Sequence, residues 1–395
     1  MKRVLVYLQG MAWRNAPGSE DRSVLMSCRT PTLRALARKG RSGSFQLDDA
    51  EALRQTGLLP AALHGVPADT LREVGRGGLE AAGISALPED RFWYRADFVA
   101  MDDETLRDPA VPGLTAPETR SLAAALEEVW RKHEIVALVM GPGHLLLGVP
   151  PGKAPLSVGC PSWCRMEEEP MPPLLGMAGG ATLTALEEEI RDRLLDHEVN
   201  QVRVDLKESP ANALCLWGGS RCPDPLPTQI PAGSSGAVWA PGAWGRGLAG
   251  WLGLTPVDGG SLAAAPGHAP VFPTARMVES LRENDALLIP VEAPELAGVG
   301  RGLAHIAAYL ERCDRAVLAP LAELLEAHRP WRLLLLADAA PFATGESEAL
   351  RTVLACMAGE SIVPDAADAW NEETCMEGGL GSITTDSLRN TFWGV

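Results

Sequence analysis

The sequence contains no long uninterrupted run of apolar residues, and this absence excludes one class of protein. Nothing in its 395 residues approaches the roughly 20 consecutive apolar residues that a membrane-spanning helix needs. The apolar stretch that begins at Val4 and ends at Leu8 is too short for the core of a secretion signal, and no cleavage site follows it. We therefore expect a soluble cytoplasmic protein.

Positive charge is also scarce. The chain carries 35 Lys and Arg against 51 Asp and Glu, which gives a formal net charge of −16. Charges of both signs are interspersed, apart from short clusters such as Glu167–Glu169. Such a surface repels phosphate backbones and anionic lipids, so nucleic acid and membranes are not expected as partners.

The familiar signatures of histidine- and cysteine-based metal sites are missing. None of the seven histidines forms an H-x-x-x-H or H-E-x-x-H pair. The eight cysteines are scattered, which is typical of a reducing compartment. Cys160 and Cys164 form a C-x3-C pair, with Cys222 in a later Cys-Pro, but a second C-x2-C is absent. A soft-metal site in this region and a set of unligated thiols both remain open.

The most informative stretch that is present runs from Trp331 to Asp338. Its four consecutive leucines predict a strand that is buried on both faces, as in the middle of a parallel sheet. The strand ends on a carboxylate, and open α/β sheets carry their chemistry just beyond the carboxyl ends of their strands. The next residues, Ala339 and Ala340, cannot ligate a metal.

Strands that alternate with helices at both ends of the chain predict an α/β fold with a mainly parallel sheet and helices on both faces. Lys2–Gln9 is predicted as the first strand, ending in a turn at Gly10, and Pro31 opens a helix that closes on Gly40. Residues 101–200 differ in composition, with a stretch rich in Pro, Gly and Cys, and they predict an inserted α+β cap. The predicted core domain is therefore discontinuous, over 1–100 and 201–395.

Several segments resemble, in order, the motifs of the archaeal-type cofactor-independent phosphoglycerate mutases of the alkaline phosphatase superfamily. The family patterns are TPNLDxLAxxG, GRGPFEALGAG, FRCNF, HPVN, PANALLLRGAG, GAVIA, KGIA, APDEAGH and GGLGRIxG. The matching segments are Thr30–Gly40, Gly75–Gly83, Tyr94–Phe98, His197–Asn200, Pro210–Leu214, Gly236–Ala240, Arg246–Ala249, Ala293–Gly298 and Gly378–Gly381. The resemblance covers nearly the whole chain.

The family's reaction, as the resemblance implies it, needs two divalent metals and a serine that carries the phosphoryl group. At the matching positions this chain has Gln9 for an aspartate, Asp48 for the serine and Glu295 for a further aspartate. Asp338 is retained, but Ala339 replaces the histidine after it. No histidine stands at any matching ligand position. The resemblance thus implies a fold that has lost most of its metal ligands.

On the substrate side the resemblance carries over three residues. Arg95 is retained, Asp97 replaces an asparagine and Arg246 replaces a lysine. The arginines of the family's cap domain have no clear match in Asp108–Gly113.

Three hypotheses follow. The first is a non-catalytic pseudoenzyme without a resident cofactor that binds, scaffolds or regulates, its partner an unidentified protein or a small anionic metabolite. The second is a divergent enzyme in which Gln9, Asp48, Glu295 and Asp338 hold Mg²⁺ or Mn²⁺. It would be a phosphomutase, phosphatase or phosphonopyruvate-decarboxylase-like enzyme. Asp48 would accept the phosphoryl group, and Arg95 and Arg246 would grip a phosphorylated or carboxylated metabolite. The third is a metal site at Cys160 and Cys164.

Overall fold

The computed structural model describes residues 1–12, 23–46, 57–103, 105–108, 111–153, 181–227, 230–260, 272–292, 303–339, 352–365 and 367–394. The chain divides into two compact units, which we call unit 1 and unit 2. Unit 1 comprises Met1–Leu71 and Pro225–Val395, and unit 2 comprises Arg72–Asp224.

Unit 1 contains an eight-stranded sheet. Its strands, in chain order, are β1 (Lys2–Ala12), β2 (Gly40–Gln46), β8 (Gly236–Trp239), β9 (Thr255–Val257), β10 (Ala286–Glu292), β11 (Trp331–Ala339), β12 (Thr352–Gly359) and β13 (Gly381–Ser382). Their order across the sheet is β13-β2-β12-β11-β1-β10-β8-β9. The neighbours β11, β1, β10, β8 and β9 are mutually parallel, whereas β12 is antiparallel to both β11 and β2.

The parallel strands form the core of unit 1 because they are apolar on both faces. Val4, Leu5, Val6 and Leu8 of β1 are at most 2% exposed, as are the four leucines of β11. Such continuous burial is what a central parallel strand requires. The mainly parallel α/β sheet predicted from the sequence is thus confirmed.

The helices of unit 1 connect and cover these strands. They are α1 (Val24–Ser27), α2 (Pro31–Arg38), α3 (Leu59–Leu63), α4 (Ala68–Glu73, which crosses the unit boundary), α10 (Ala243–Trp251), α11 (Thr274–Glu283), α12 (Leu303–Cys313), α13 (Ala319–Ala327), α14 (Glu372–Glu377) and α15 (Thr385–Trp393). A π-helical turn, Asp314–Leu318, joins α12 to α13. The bulk of this core comes from apolar side chains of β1, β10, β11 and the helices α12 and α13.

Unit 2 has a five-stranded antiparallel sheet. Its strands are β3 (Phe92–Asp102), β4 (Thr105–Asp108), β5 (Val136–Gly141), β6 (His144–Val149) and β7 (Ala213–Ser220). The long β3 lies between β6 and β7 and pairs at its end with β4. The helices are α5 (Arg76–Ala82), α6 (Ala116–Ala125), α7 (Glu127–Lys132), α8 (Ala181–Leu195) and α9 (Glu198–Asp205), with a 3-10 turn at Pro151–Lys153.

The boundaries of the predicted insertion, 101–200, differ from those of unit 2. The sequence interpretation assigned the strands near Arg95 and Leu214 to the core domain, whereas β3 and β7 pair with each other and with β6 of unit 2. The physical reason is that strand pairing joins segments far apart in the chain, and composition does not report it.

Other elements also differ from the predictions. The strand predicted to stop at Gln9 continues to Ala12 through an irregularity. Two helices, α6 and α7, follow one another with the break at Leu126. The antiparallel β12 was not predicted. Among the described helices none is both long enough and apolar enough to cross a bilayer.

Candidate functional site

Asp338 lies at the carboxyl end of β11, as the sequence predicted, and next to the carboxyl end of the parallel strand β1. Between Leu8 and Ala12 the register of β1 against β11 shifts, and Gly10 has a φ of +71°. Glycine adopts this left-handed conformation without the steric cost that a side chain brings. The shift directs the N–H of Gly10 towards β11, where it donates to Oδ1 of Asp338 over 2.7 Å.

Tyr7 provides the second contact to the same carboxylate. Its hydroxyl donates to Oδ2 of Asp338 over 2.6 Å. Both side chains are buried, with Asp338 only 1% exposed. Both oxygens of the retained aspartate therefore accept hydrogen bonds from β1, so the carboxylate links the two central strands.

Gln9 lies on the same strand, next to a glycine and an aromatic ring. Gly57 has a φ of +73°, and a methyl group on it would stand 3.3 Å from Oε1 of Gln9 and 2.9 Å from the ring of Trp244. Trp244 belongs to α10, which also carries the half-buried Arg246. The structure thus brings Gln9 and α10 to the same part of unit 1.

Four of the residues predicted to ligate metal lie outside the described residues, namely Asp48, Glu295, Cys160 and Cys164. Their roles stay predictions. The backbone register pairs Gln9 of β1 with Glu292 of β10. Three strand ends, those of β10, β1 and β11, therefore lie side by side at this edge of the sheet.

Two histidines of unit 1 have described side chains, and both lie towards the opposite ends of the strands. His64 lines a small cavity together with Arg3 and Leu5, near the start of β1. Its Nδ1 is 2.7 Å from the carbonyl oxygen of Pro60. His328 caps α13 through the carbonyl of Leu324, just before β11 begins. Neither histidine stands at the Asp338 edge.

The donors described at this edge do not fit a pair of divalent metals. They are one carboxylate whose oxygens both accept hydrogen bonds from β1, and the amide of Gln9. Borderline metals such as Mn²⁺ and Zn²⁺ favour imidazole among their ligands. Within the described ranges, no group of three or more His, Cys, Asp and Glu side chains is placed to hold an ion.

The second candidate site lies in unit 2 around Arg95. Arg95 and Asp97 are two residues apart on β3, so both point to one face of the sheet. Trp217 of β7 pairs with Arg95, and His144 of β6 pairs with Asp97, which puts all four on that face. Nε of Arg95 is 3.0 Å and 3.1 Å from the two oxygens of Asp97.

Helix α5 brings a further acid and a further arginine to this cluster. Glu80 is 2.8 Å from Nε of Arg76, 3.6 Å from Nη1 of Arg95 and 3.0 Å from Nε2 of His144. Burial by itself raises the pKa of Glu80, but His144, Arg76 and Arg95 outweigh it and hold the pKa well below its usual range. Glu80 is therefore an ionised acid inside unit 2 at neutral pH.

The glycine-rich segment at the start of α5 serves packing. A methyl group on Gly77 would overlap the carbonyl of Trp93, and one on Gly78 would overlap Ser220. These glycines let α5 approach β3 and β7 closely enough for Glu80, which pairs with Arg76, to reach Arg95. The sequence interpretation did not identify Glu80 and Trp217 as neighbours of Arg95, nor Arg76 and His144 as partners of Glu80. The i, i+4 spacing of Arg76 and Glu80 was the available signal.

Arg95 is thus buried, at 2% exposure, and paired with acids, while Arg246 lies in unit 1. Cys222, the third cysteine of the predicted soft-metal region, is an exposed residue of unit 2.

Sequence comparison finds relatives over almost the entire chain. A 2,3-bisphosphoglycerate-independent phosphoglycerate mutase of Methanothrix thermoacetophila is 27% identical over 402 residues, which cover 98% of both chains. The corresponding mutase 2 of Methanothermobacter thermautotrophicus is 27% identical over 407 residues, covering 97% of this chain and 94% of that one. No family model matches the sequence.

Solved structures share the fold. A protein from Pyrococcus horikoshii superposes with a TM-score of 0.65 at 16% identity, covering 100% of this chain and 97% of the other. The cofactor-independent phosphoglycerate mutase of Thermoplasma acidophilum superposes with a TM-score of 0.52 at 19% identity, covering 100% and 99%. The resemblance stated from the motifs is confirmed: over nearly its whole length the chain is similar to proteins named 2,3-bisphosphoglycerate-independent phosphoglycerate mutases.

Proposed function

We propose that this chain keeps the phosphoglycerate-mutase fold but acts as a non-catalytic binding or scaffolding protein, without two-metal phosphoryl transfer. One observation carries the proposal. The retained acid, Asp338, has both oxygens hydrogen-bonded to β1, and the residue that follows it in the sequence is Ala339. The acid serves to join two strands.

The chemistry of the donors supports this assignment. Two metals alongside a phosphate need several anionic or imidazole ligands, since the ions must be held against their own repulsion. The described histidine side chains of unit 1 are engaged elsewhere, at Pro60 and Leu324.

The decisive experiment measures mutase activity and metal content on the same preparation. The purified chain is assayed for interconversion of 3- and 2-phosphoglycerate with added Mg²⁺, Mn²⁺, Co²⁺ or Zn²⁺. The Methanothrix relative, assayed identically, is the positive control. We expect activity at least about a thousandfold below that control, since two-metal stabilisation supplies several kcal/mol. Elemental mass spectrometry is expected to find less than stoichiometric metal.

A divergent enzyme with a carboxylate-only Mg²⁺ or Mn²⁺ site is the second candidate. It is favoured by the register that places Gln9, Glu292 and the end of β11 on adjacent strands, because carboxylates and amides suit hard ions. Metal-dependent turnover of a phosphoester that disappears in Asp338→Asn would establish this candidate and overturn the first.

The identity of the bound metal distinguishes the hypothesis of a cysteine site from the two candidates above. Stoichiometric zinc or iron that is lost on Cys160→Ser would establish it, whereas Mg²⁺ or Mn²⁺ would not involve these thiols.

A further inference from the structure

We infer that Arg95 and Trp217 form an anion-binding site in unit 2 whose occupant is the protein's own Asp97 carboxylate. The inference concerns unit 2 alone and does not depend on the absence of metal chemistry in unit 1. In this site Asp97 takes the position of a small carboxylate or phosphate ligand, so the site is closed to such anions in the wild-type chain.

Two donors converge on Asp97 from different strands. Nε of Arg95 contacts both carboxylate oxygens, at 3.0 Å and 3.1 Å. The indole N–H of Trp217 donates to Oδ2 over 2.6 Å. The guanidinium also lies over the Trp217 ring, 5.2 Å from its centroid, which fixes the plane of the donor group. A guanidinium and an indole N–H that meet at one carboxylate match the requirements of an anion receptor.

The occupant stands at the mouth of the site. The side chain of Asp97 is 15% exposed, whereas that of Arg95 is 3% exposed. An anion arriving from solvent would therefore meet Asp97 before the guanidinium. The carboxylate both fills the position in front of Arg95 and repels a second negative charge.

Asp97 is one of two acids described in this cluster. Arg76 and Arg95 contribute two positive charges, and Glu80 and Asp97 contribute two negative charges. Glu80 forms ion pairs with both arginines and also accepts a hydrogen bond from His144. Removal of Asp97 takes one negative charge away from the position in front of Arg95, which makes that position more attractive to an anion.

The test replaces the occupant and supplies small anions. Asp97→Ala opens the position, and Asp97→Ser opens it while keeping an acceptor for Trp217. Thermal unfolding of each full-length variant is followed in sodium formate, acetate or phosphate, with sodium chloride at the same ionic strength as reference. We expect the variants to gain about 2 °C at ten times the formate Kd. The wild type is expected to gain no more from formate than from chloride.

A matched control uses another buried arginine of unit 2. Arg203 is 2% exposed and pairs with Glu118 at 3.4 Å, but its guanidinium also donates to the carbonyls of Ser209 and Pro112. Glu118→Ala therefore removes a carboxylate without exposing unused donors, and we expect no formate-specific gain.

A second measurement separates binding from a merely structural role. In the Asp97→Ala/Trp217→Phe variant one of the two donors is missing. We expect its formate affinity, measured by calorimetry, to fall about tenfold or more relative to Asp97→Ala. The inference is overturned if neither Asp97 variant gains more from formate than Glu118→Ala does, or if the wild type binds formate equally well.

Discussion

Asp338 lies on the central sheet of unit 1 and Asp97 on the sheet of unit 2. The two carboxylates differ in the charge of their partners. Asp338 accepts from a tyrosine hydroxyl and a backbone N–H, whereas Asp97 contacts a guanidinium that also serves Glu80. Loss of an uncharged donor leaves a hydrogen bond unmade. Loss of a buried guanidinium leaves whole charges without compensation, which costs more. The two units should therefore respond differently to equivalent substitutions.

The largest effect is expected from Arg95→Met. This change keeps the apolar bulk but leaves Glu80 and Asp97 without their shared cation, and we expect the free energy of unfolding to fall by about 3–5 kcal/mol. Urea unfolding measures it.

Arg107→Met is the control, because Arg107 pairs with Asp102 at 3.7 Å while the two side chains are 54% and 67% exposed. Its effect should stay below about 1 kcal/mol. Equal losses in the two variants would contradict the assigned importance of the Arg95 cluster.

A smaller effect is expected from Asp338→Ala. The hydroxyl of Tyr7 and the N–H of Gly10 would then be buried without this acceptor, at a cost of about 2–4 kcal/mol. Tyr7→Phe removes one of these hydrogen bonds without leaving a donor behind, and should cost about 1 kcal/mol. If Tyr7→Phe proved as damaging as Asp338→Ala, the carboxylate would not be the link between β1 and β11.

The smallest effects are pH dependences, and they separate the two units. Burial lowers the pKa of His64 in unit 1, against the opposite influence of the Pro60 carbonyl. His64 is thus neutral when folded. The stability that a neutral His64 contributes is complete above the pKa of an unfolded histidine, about 6.5. It is lost as the pH falls below that value, because His64 then takes up a proton in the unfolded chain more readily than in the folded one. We expect stability to fall as the pH drops below about 6.5, and His64→Phe to reduce that fall.

Glu80 in unit 2 affects the stability of the protein at lower pH than His64 does. Although burial opposes its ionisation, its cationic neighbours hold its pKa below the unfolded value. Its contribution is therefore complete above the unfolded pKa of about 4.3 and declines as the pH falls further. Glu80→Gln should flatten the stability profile only below about pH 4.5. A change confined to pH 5–6.5 in this variant would contradict the assignment.

Much of unit 1 was predictable because its signals are local. A run of leucines predicts a buried strand wherever it lies, and the carboxylate at the end of β11 follows from the same segment. Gly10 was correctly placed at a change in β1, but its effect was not predictable. Whether a glycine ends a strand or shifts its register depends on the neighbouring strand, here β11.

Unit 2 was less predictable because its cluster is assembled from four separate segments. Arg95 was expected to grip an anionic metabolite. The structure surrounds it with Glu80 from α5, Asp97 from its own strand and Trp217 from β7. No local pattern reports which distant helix will bring an acid to an arginine.

The sequence by itself determined the family resemblance, the parallel strands of unit 1 and the position of Asp338 at a strand end, because each depends on residue types close together in the chain. Only the tertiary structure decided the limits of the two units, the hydrogen bonds that engage Asp338 and the neutralisation of Arg95. Strand pairing, burial and charge compensation all depend on contacts between residues that are distant in sequence, so they become defined only when the chain folds.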